Sequence, residues 1–276
     1  MHSKPSVALV KSAVRYDGVF QALELVKDSI VERLAGSARI VIKPDFFFTK
    51  QGRSTSVDAV RAVLDFILEF TNKKITIAEG LYGGGSVQTV FHDAKLHELH
   101  EDYGLRFVDL NKDEFVTLRL GSGLSVRAAS TIINSDFRIS LAVPKLLKSS
   151  YRCSLDNIAL GSVVSNGKAL AKNDKAKIIS SSRYAWAVTE VLKVVRPSLA
   201  VVDGFDSAVG MKRFESNFCV ASADGVAADV VAAAALGSRL KKKIPRQEYL
   251  GLCQEAGLGQ SSLPKIRVLG EKLPLR

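Results

Sequence analysis

Charged residues recur in this chain at the ends of short apolar runs. Lys43 follows residues 39–42, Glu79 follows 75–78, Asp109 closes 105–110, Lys145 follows 136–143, Asp203 follows 199–202 and Asp224 follows 219–223. If those runs are strands of an open, mainly parallel sheet, the residues after them gather on the rim beyond its carboxyl ends, where ligands bind in such folds. Lys43 and Lys145 could neutralise an anion there, or serve as base or Schiff-base nucleophile once burial lowers the amine pKa. As surface lysines they would snorkel instead. Asp203 and Asp224 could hold a metal or orient a lysine, and could equally cap the turns Asp203-Gly204 and Asp224-Gly225. Lys148 and Arg152 extend the positive charge that begins at Lys145.

Two turns add candidate anion contacts. Gly83-Gly84-Gly85-Ser86 joins an expected strand to an expected helix, where bare backbone N–H groups can hold a phosphate or carboxylate; a flexible connection explains the same residues. The segment 52–56 ends in Ser54, Thr55 and Ser56, whose hydroxyls can meet an anion or cap the following helix. Asp93, His97, His100 and Glu101 share one face of a continuous helix at spacings of three and four, a geometry that can ligate a metal and that a solvated charged face also produces. None of these four is expected to ligate a metal. Cys153, Cys219 and Cys253 are odd in number and form no C-x-x-C pair, so neither a disulfide framework nor an iron–sulfur cluster is expected, and the cofactor is left unassigned. No G-x-S-x-G elbow supports serine hydrolysis.

The elements that must position these groups alternate. A strand at 7–10, a helix at 17–34, a strand at 39–42, a helix from 57, a strand at 75–78, a helix running to about 102 and a strand at 105–110 give β-α-β-α-β-α-β order. Parallel strands need such crossovers, so the fold class is α/β with a mainly parallel or mixed sheet and helices on both faces. A hairpin at 115–126, a buried strand at 136–143, a lid or ordinary loop at 165–182, a helix over 186–195 and an alanine-rich helix over 226–236 closed by Gly237 follow. A helix at 245–256 and a strand at 266–269 complete the chain. No linker divides it, which predicts a single domain over 1–276 with any lobes at 1–120 and 121–276.

The 276 residues carry 39 Lys and Arg against 28 Asp and Glu, a net charge of +11. Residues 56–114 hold 6 basic and 11 acidic groups, whereas 138–196 hold 11 basic and 3 acidic. Such a surplus favours anionic partners. Nucleic acid is the less favoured of these, because aromatics make up 7% and are not interleaved with the basic residues. Neither a membrane span nor a secretory signal core is present, which predicts a cytoplasmic protein with no membrane partner. Its oligomeric state is left open.

The segments 41–45 (Val-Ile-Lys-Pro-Asp), 54–57 (Ser-Thr-Ser-Val), 143–146 (Val-Pro-Lys-Leu), Asn157-Ile158, 202–204 (Val-Asp-Gly) and Ala223-Asp224 with Asp229 stand in an order that resembles the domain-of-unknown-function 362 family. The likeness runs from the first strand to the turn at 257–259. Family members tend to have Asn where this chain has Asp45, Lys-Thr-His where it has Lys148-Ser149-Ser150, Lys where it has Asp156, and Asp-Pro-Val-Ala-x-Asp where it has the stretch from Asp224 to Asp229. Many carry ferredoxin-like cysteine motifs that are missing here. The resemblance implies an α/β fold and a ligand edge built from Lys43, Lys145, Asn157, Asp203 and Asp224. The first functional expectation is an anionic small molecule, a carboxylate or phosphate, held at the strand ends with Lys43 and Lys145 as countercharges and Asp203 or Asp224 as the acid/base or metal group of any catalysis. A basic surface for nucleic acid or an acidic protein is the second, and a noncatalytic structural or assembly relative the third.

Overall fold

The computed structural model describes residues 4–46, 54–82, 86–121, 123–147, 150–165, 173–210, 212–245 and 247–273. β1 (Ser6–Lys11) leads through α1 (Arg15–Val26) and α2 (Val31–Ala35) to β2 (Ile40–Lys43). Then come α3 (Val57–Leu68), β3 (Ile75–Glu79), α4 (Val87–Asp93), α5 (Glu98–Tyr103) and β4 (Arg106–Asp109). A hairpin of β5 (Phe115–Arg119) and β6 (Ser125–Ala129) precedes α6 (Ser130–Ile133), β7 (Phe137–Ala142), β8 (Lys145–Leu147), β9 (Ser150–Arg152) and α7 (Ser154–Ser162). The remainder is α8 (Asp174–Ile179), α9 (Tyr184–Val195), β10 (Leu199–Val209), β11 (Lys212–Ser222), α10 (Gly225–Leu240), α11 (Glu248–Glu255) and β12 (Arg267–Gly270).

The main sheet runs β12-β1-β11-β10-β7-β2-β3-β4, with β8 joined to β10 and β9 to β8. β10, β7, β2, β3 and β4 are parallel neighbours. β11 runs against both β10 and β1, so β1 points the same way as the parallel set, and β12 follows β1. The fold is therefore α/β with a mixed, mostly parallel sheet whose strand ends share one rim. Helices cover both faces. Ile42, Ile77, Leu141 and Val201 pack with Val19 and Leu23 of α1 and Val63 and Phe66 of α3. On the other face Val41 and Ala78 meet Ile158 of α7 and Val188 of α9, and Ala200 and Val202 meet Ala228 and Val231 of α10.

Local departures from the sequence reading have physical causes. The first helix stops at Val26, a 3-10 turn over Lys27–Ser29 intervenes, and Ser29 Oγ donates to the Val26 carbonyl at 2.6 Å. The helix expected to run to residue 102 is broken between α4 and α5, where Lys95 takes a φ of 60°. Asp93 and His97 therefore do not lie along one helix, and among the described residues no group of three or more His, Cys, Asp or Glu could hold a metal. β10 and β11 are each 11 residues, much longer than the apolar runs that signalled them: in β10, Asp203 and Asp206 are paired with Arg15, and β11 pairs with β10 from Ser222 to Lys212. Gly237 does not close the alanine-rich helix, which runs on to Leu240; a Cβ at Gly237 would stand 2.8 Å from the Lys242 carbonyl. Within the stretch read as a lid or loop, residues 174–179 form α8, with Asn173 Oδ1 accepting from the Ala176 N–H at 2.9 Å. No helix among the described residues is long and apolar enough to cross a membrane.

α7, unsignalled by any apolar period because nearly all its residues are buried, is anchored from a distance. Asp229 of α10 accepts the N–H groups of Ser154 at 2.9 Å and Leu155 at 3.1 Å. Burial pushes the Asp229 carboxyl up to about 7, although the two N–H donors pull the other way. Asp229→Ala orphans two buried donors at a helix start, and is expected to lower unfolding free energy by about 2–4 kcal/mol in urea titrations. Asp229→Asn, which keeps one acceptor oxygen, should lose less than half as much. Equal losses in the two variants would contradict this anchoring role.

Candidate functional site

Lys43 ends β2 and is 2% exposed. A buried lysine ammonium has three N–H groups to satisfy. Its Nζ donates to the Pro44 carbonyl at 2.9 Å, to Glu79 Oε1 at 2.7 Å and to Asn157 Oδ1 at 2.7 Å. Glu79, at the end of β3, also accepts the N–H of Gly80 at 2.7 Å and of Phe46 at 3.2 Å. Asn157 returns its amide N–H groups to the Lys43 carbonyl at 3.2 Å and to Ser140 Oγ at 3.1 Å. The amine that the sequence offers as an anion contact is thus fully engaged in joining β2, β3 and β7 to α7.

Two glycines permit this closeness. A Cβ at Gly161 would lie 1.6 Å from Lys43 Cε, and one at Gly80 would lie 2.5 Å from the Gly161 carbonyl oxygen. A second lysine sits beside the first: Lys145 Nζ donates to Asp45 Oδ2, which also accepts the Val143 N–H at 3.3 Å. Thr55 braces Asp45, accepting its N–H at 2.8 Å and donating to the Leu141 carbonyl at 2.9 Å.

Around these pairs lies a cavity of about 290 Å³. Its polar wall includes Arg152, Asp156 and Lys175, and Leu81, Leu147, Leu160 and Ile179 supply apolar wall. Tyr184 donates its hydroxyl to Asp156, and its pKa is raised by burial and by that carboxylate, so it remains a phenol. Arg152 spreads over the Tyr184 ring at 5.6 Å and reaches Asp156 at 3.8 Å, yet its buried Nε has no hydrogen-bond partner among the described residues. Lys175, in the first turn of α8 and 3% exposed, donates to the Gly80 carbonyl at 2.6 Å and meets no carboxylate within 4.0 Å among the described residues. Burial, with Lys43 nearby, pushes its amine down to about 7.

The other residues named from sequence are placed as follows. Asp203 lies on the face that α1 covers, with Arg15 Nε at 3.1 Å, while Asp206 takes Arg15 Nη2 at 2.5 Å and Arg213 Nε at 2.6 Å. Burial raises the Asp203 pKa, against the pull of Arg15. Asp224 caps α10, accepting the Ala227 N–H at 2.9 Å and the Gln260 N–H at 2.9 Å, beside a separate cavity that includes Arg196 and Gly259. Neither Asp203 nor Asp224 lines the 290 Å³ cavity. Ser86 caps α4 through the Thr89 N–H at 3.2 Å. Ser54 Oγ is buried without a partner among the described residues. Asp109 turns to the Asn111 N–H at 3.0 Å. Gly83, Gly84, Gly85 and Lys148 lie outside the described residues. All three cysteines are buried and free, and burial raises each thiol pKa, which keeps them unreactive. Sequence reasoning missed Lys175 as a site residue; its one signal was Asn173, a cap residue opening a helix inside a polar stretch.

The family model described as "Domain of unknown function (DUF362)" matches residues 40–234. A comparison with curated proteins finds no significant match. Seven chains of solved structures match. One is the lactate racemase apoprotein from Thermoanaerobacterium thermosaccharolyticum, with a TM-score of 0.55 and 14% identity over 83% of this chain. The chain spans 56% of that protein's length. At this identity the likeness concerns the fold.

Two outcomes test the geometry. Gly161→Ala must expel the Lys43 side chain, and is expected to cost about 1–3 kcal/mol of stability in urea unfolding; an unchanged midpoint would contradict the close approach. Lys175 has a folded pKa near 7 below its ordinary 10.5, so its contribution to stability is complete above 10.5 and is lost as pH falls through about 7. Between pH 10 and pH 7 the native protein should therefore lose roughly 2–4 kcal/mol relative to Lys175→Met, read by urea unfolding at each pH. Parallel stability curves for the two proteins would contradict it.

Proposed function

The chain belongs to the DUF362 family, and from that premise we propose that it binds a small carboxylate or phosphate in the cavity at the carboxyl ends of its strands. The observation that carries the reading is the pair of under-partnered cations lining this cavity: Arg152, with a buried N–H that has no acceptor among the described residues, and Lys175, held among those residues by the Gly80 carbonyl with no carboxylate within 4.0 Å. A buried donor without a partner costs free energy that an anionic oxygen would recover. The Lys43–Glu79 and Lys145–Asp45 pairs serve as frame, and the apolar wall accommodates a short carbon skeleton. The lactate racemase whose fold is similar is named for a small hydroxy acid, a carboxylate in the size range of this cavity.

The distribution of charge supports a small ligand over a nucleic-acid surface. Within the strongly basic segment, Lys145 pairs with Asp45, Lys177 with Asp174 at 2.7 Å and Lys193 with Glu190, while Arg138 donates to the carbonyls of Ile132, Ser135 and Arg196. Much of its positive charge is thus spent on internal partners rather than displayed for a polyanion.

A thermal-stability screen with small carboxylates and phosphates should raise the melting temperature of the native protein, because a ligand that binds the folded state stabilises it. Arg152→Ala and Lys175→Ala are each expected to weaken that binding by about tenfold or more, while Lys241→Ala, on the far end of α10, leaves it unchanged. Shifts of equal size in all four proteins would count against the cavity, and the absence of any shift would remove the reading.

A further inference from the structure

Lys175 combines three properties that a structural lysine does not need together. It is buried, it stands on the wall of a ligand-sized cavity, and among the described residues no carboxylate lies within 4.0 Å of it. Lys43, which lines the same cavity, shows the contrast, since Pro44, Glu79 and Asn157 consume its N–H groups. The acceptor that Lys175 does have, the Gly80 carbonyl, needs one N–H and is satisfied equally by an ammonium and by a neutral amine. In the neutral form that hydrogen bond leaves the nitrogen lone pair unengaged.

Resting on the reading that the cavity takes a small anion, we propose that the ligand is an oxo acid and that Lys175 Nζ forms an imine with its carbonyl carbon, while Arg152 holds its carboxylate. The neutral amine adds to the carbonyl to give a carbinolamine, forming the C–N bond. The carbinolamine then loses its hydroxyl as water, taking up a proton at oxygen and releasing the second amine proton. The sum is amine plus carbonyl giving imine plus water, with no change of oxidation state and no further reactant. Asp156, which lines the same cavity and is held by Tyr184 and Arg152, is the carboxylate that relays the proton in this scheme. An amine displaced from its ordinary range to about 7 is nucleophilic at neutral pH, where surface lysines are almost wholly protonated.

The test uses the intact native protein with sodium glyoxylate as probe and cyanoborohydride to reduce any imine, followed by peptide mapping by mass spectrometry. The expected result is a carboxymethyl group on Lys175, formed about tenfold or more faster than on any other lysine at pH 7, with half-maximal rate near that pH. Glycolate, which has a hydroxyl in place of the aldehyde carbonyl, should bind and slow the labelling. Lys175→Arg, which keeps a cation but not a nucleophilic amine, should lose the adduct while retaining glycolate stabilisation. If glycolate stabilises the protein but Lys175 is labelled no faster than surface lysines, the imine is overturned and the anion site stands. If glycolate neither stabilises nor protects and no adduct forms, both are overturned.

Discussion

A positive charge buried at the end of a central strand sets the terms for the rest of this molecule. Taking the Lys43 ammonium out of water costs several kcal/mol unless its hydrogen bonds are replaced with good geometry. The replacement draws on three different parts of the chain: the Pro44 carbonyl, the Glu79 carboxylate and the Asn157 amide. Satisfying one amine thereby fixes the distance between the ends of β2 and β3 and seats α7 against both. Once α7 is seated, Asp156 is in position to order Tyr184 and Arg152, and the cavity acquires its polar wall. Removing either polar side-chain partner would leave a charge with nowhere to go, which is why this cluster is better regarded as the frame of the site than as its reactive part.

The rim itself was legible in the sequence, because it follows from strand direction alone. Parallel strands must end on the same side, so Lys43, Glu79 and Lys145, each placed just past an apolar run, converge on one cavity. What strand direction does not specify is the face. Leu199 and Val201 point toward α1 and α3, and the alternation of a strand carries Asp203 the same way, to Arg15. Asp224 ends up as a helix cap because a Gly-led helix begins immediately after it. Its position before Gly225 suits a cap and a ligand contact equally, and local sequence does not choose between them.

Lys175 and α7 escaped the sequence reading for a shared reason. Periodicity reveals an element that has one wet side, and α7 has almost none. Lys175 sits in a stretch whose composition is that of a surface loop, and the carbonyl that accepts from its buried amine belongs to Gly80, a residue 95 positions earlier. Asp229 illustrates the same principle in reverse. Its place in a family-like pattern marked it out, but its work at the start of α7, 75 positions earlier, could be seen only once α10 and α7 were side by side. Burial of polar groups is a property of the assembled fold, and local composition misjudges it in both directions.

The span between Lys43 and Asn157 also bears on how the chain can be made. These two residues are 114 positions apart, so a polypeptide emerging from the ribosome exposes Lys43 long before its amide partner exists. Until then the end of β2 has the carboxylate of Glu79 but no α7 to keep water out, and closing the core around it would strand the amine. The cover over Lys43 is therefore complete only once α7 has been made. Cutting the gene between these halves would give an amino-terminal piece whose Lys43–Glu79 pair lacks the Asn157 amide and the cover of α7.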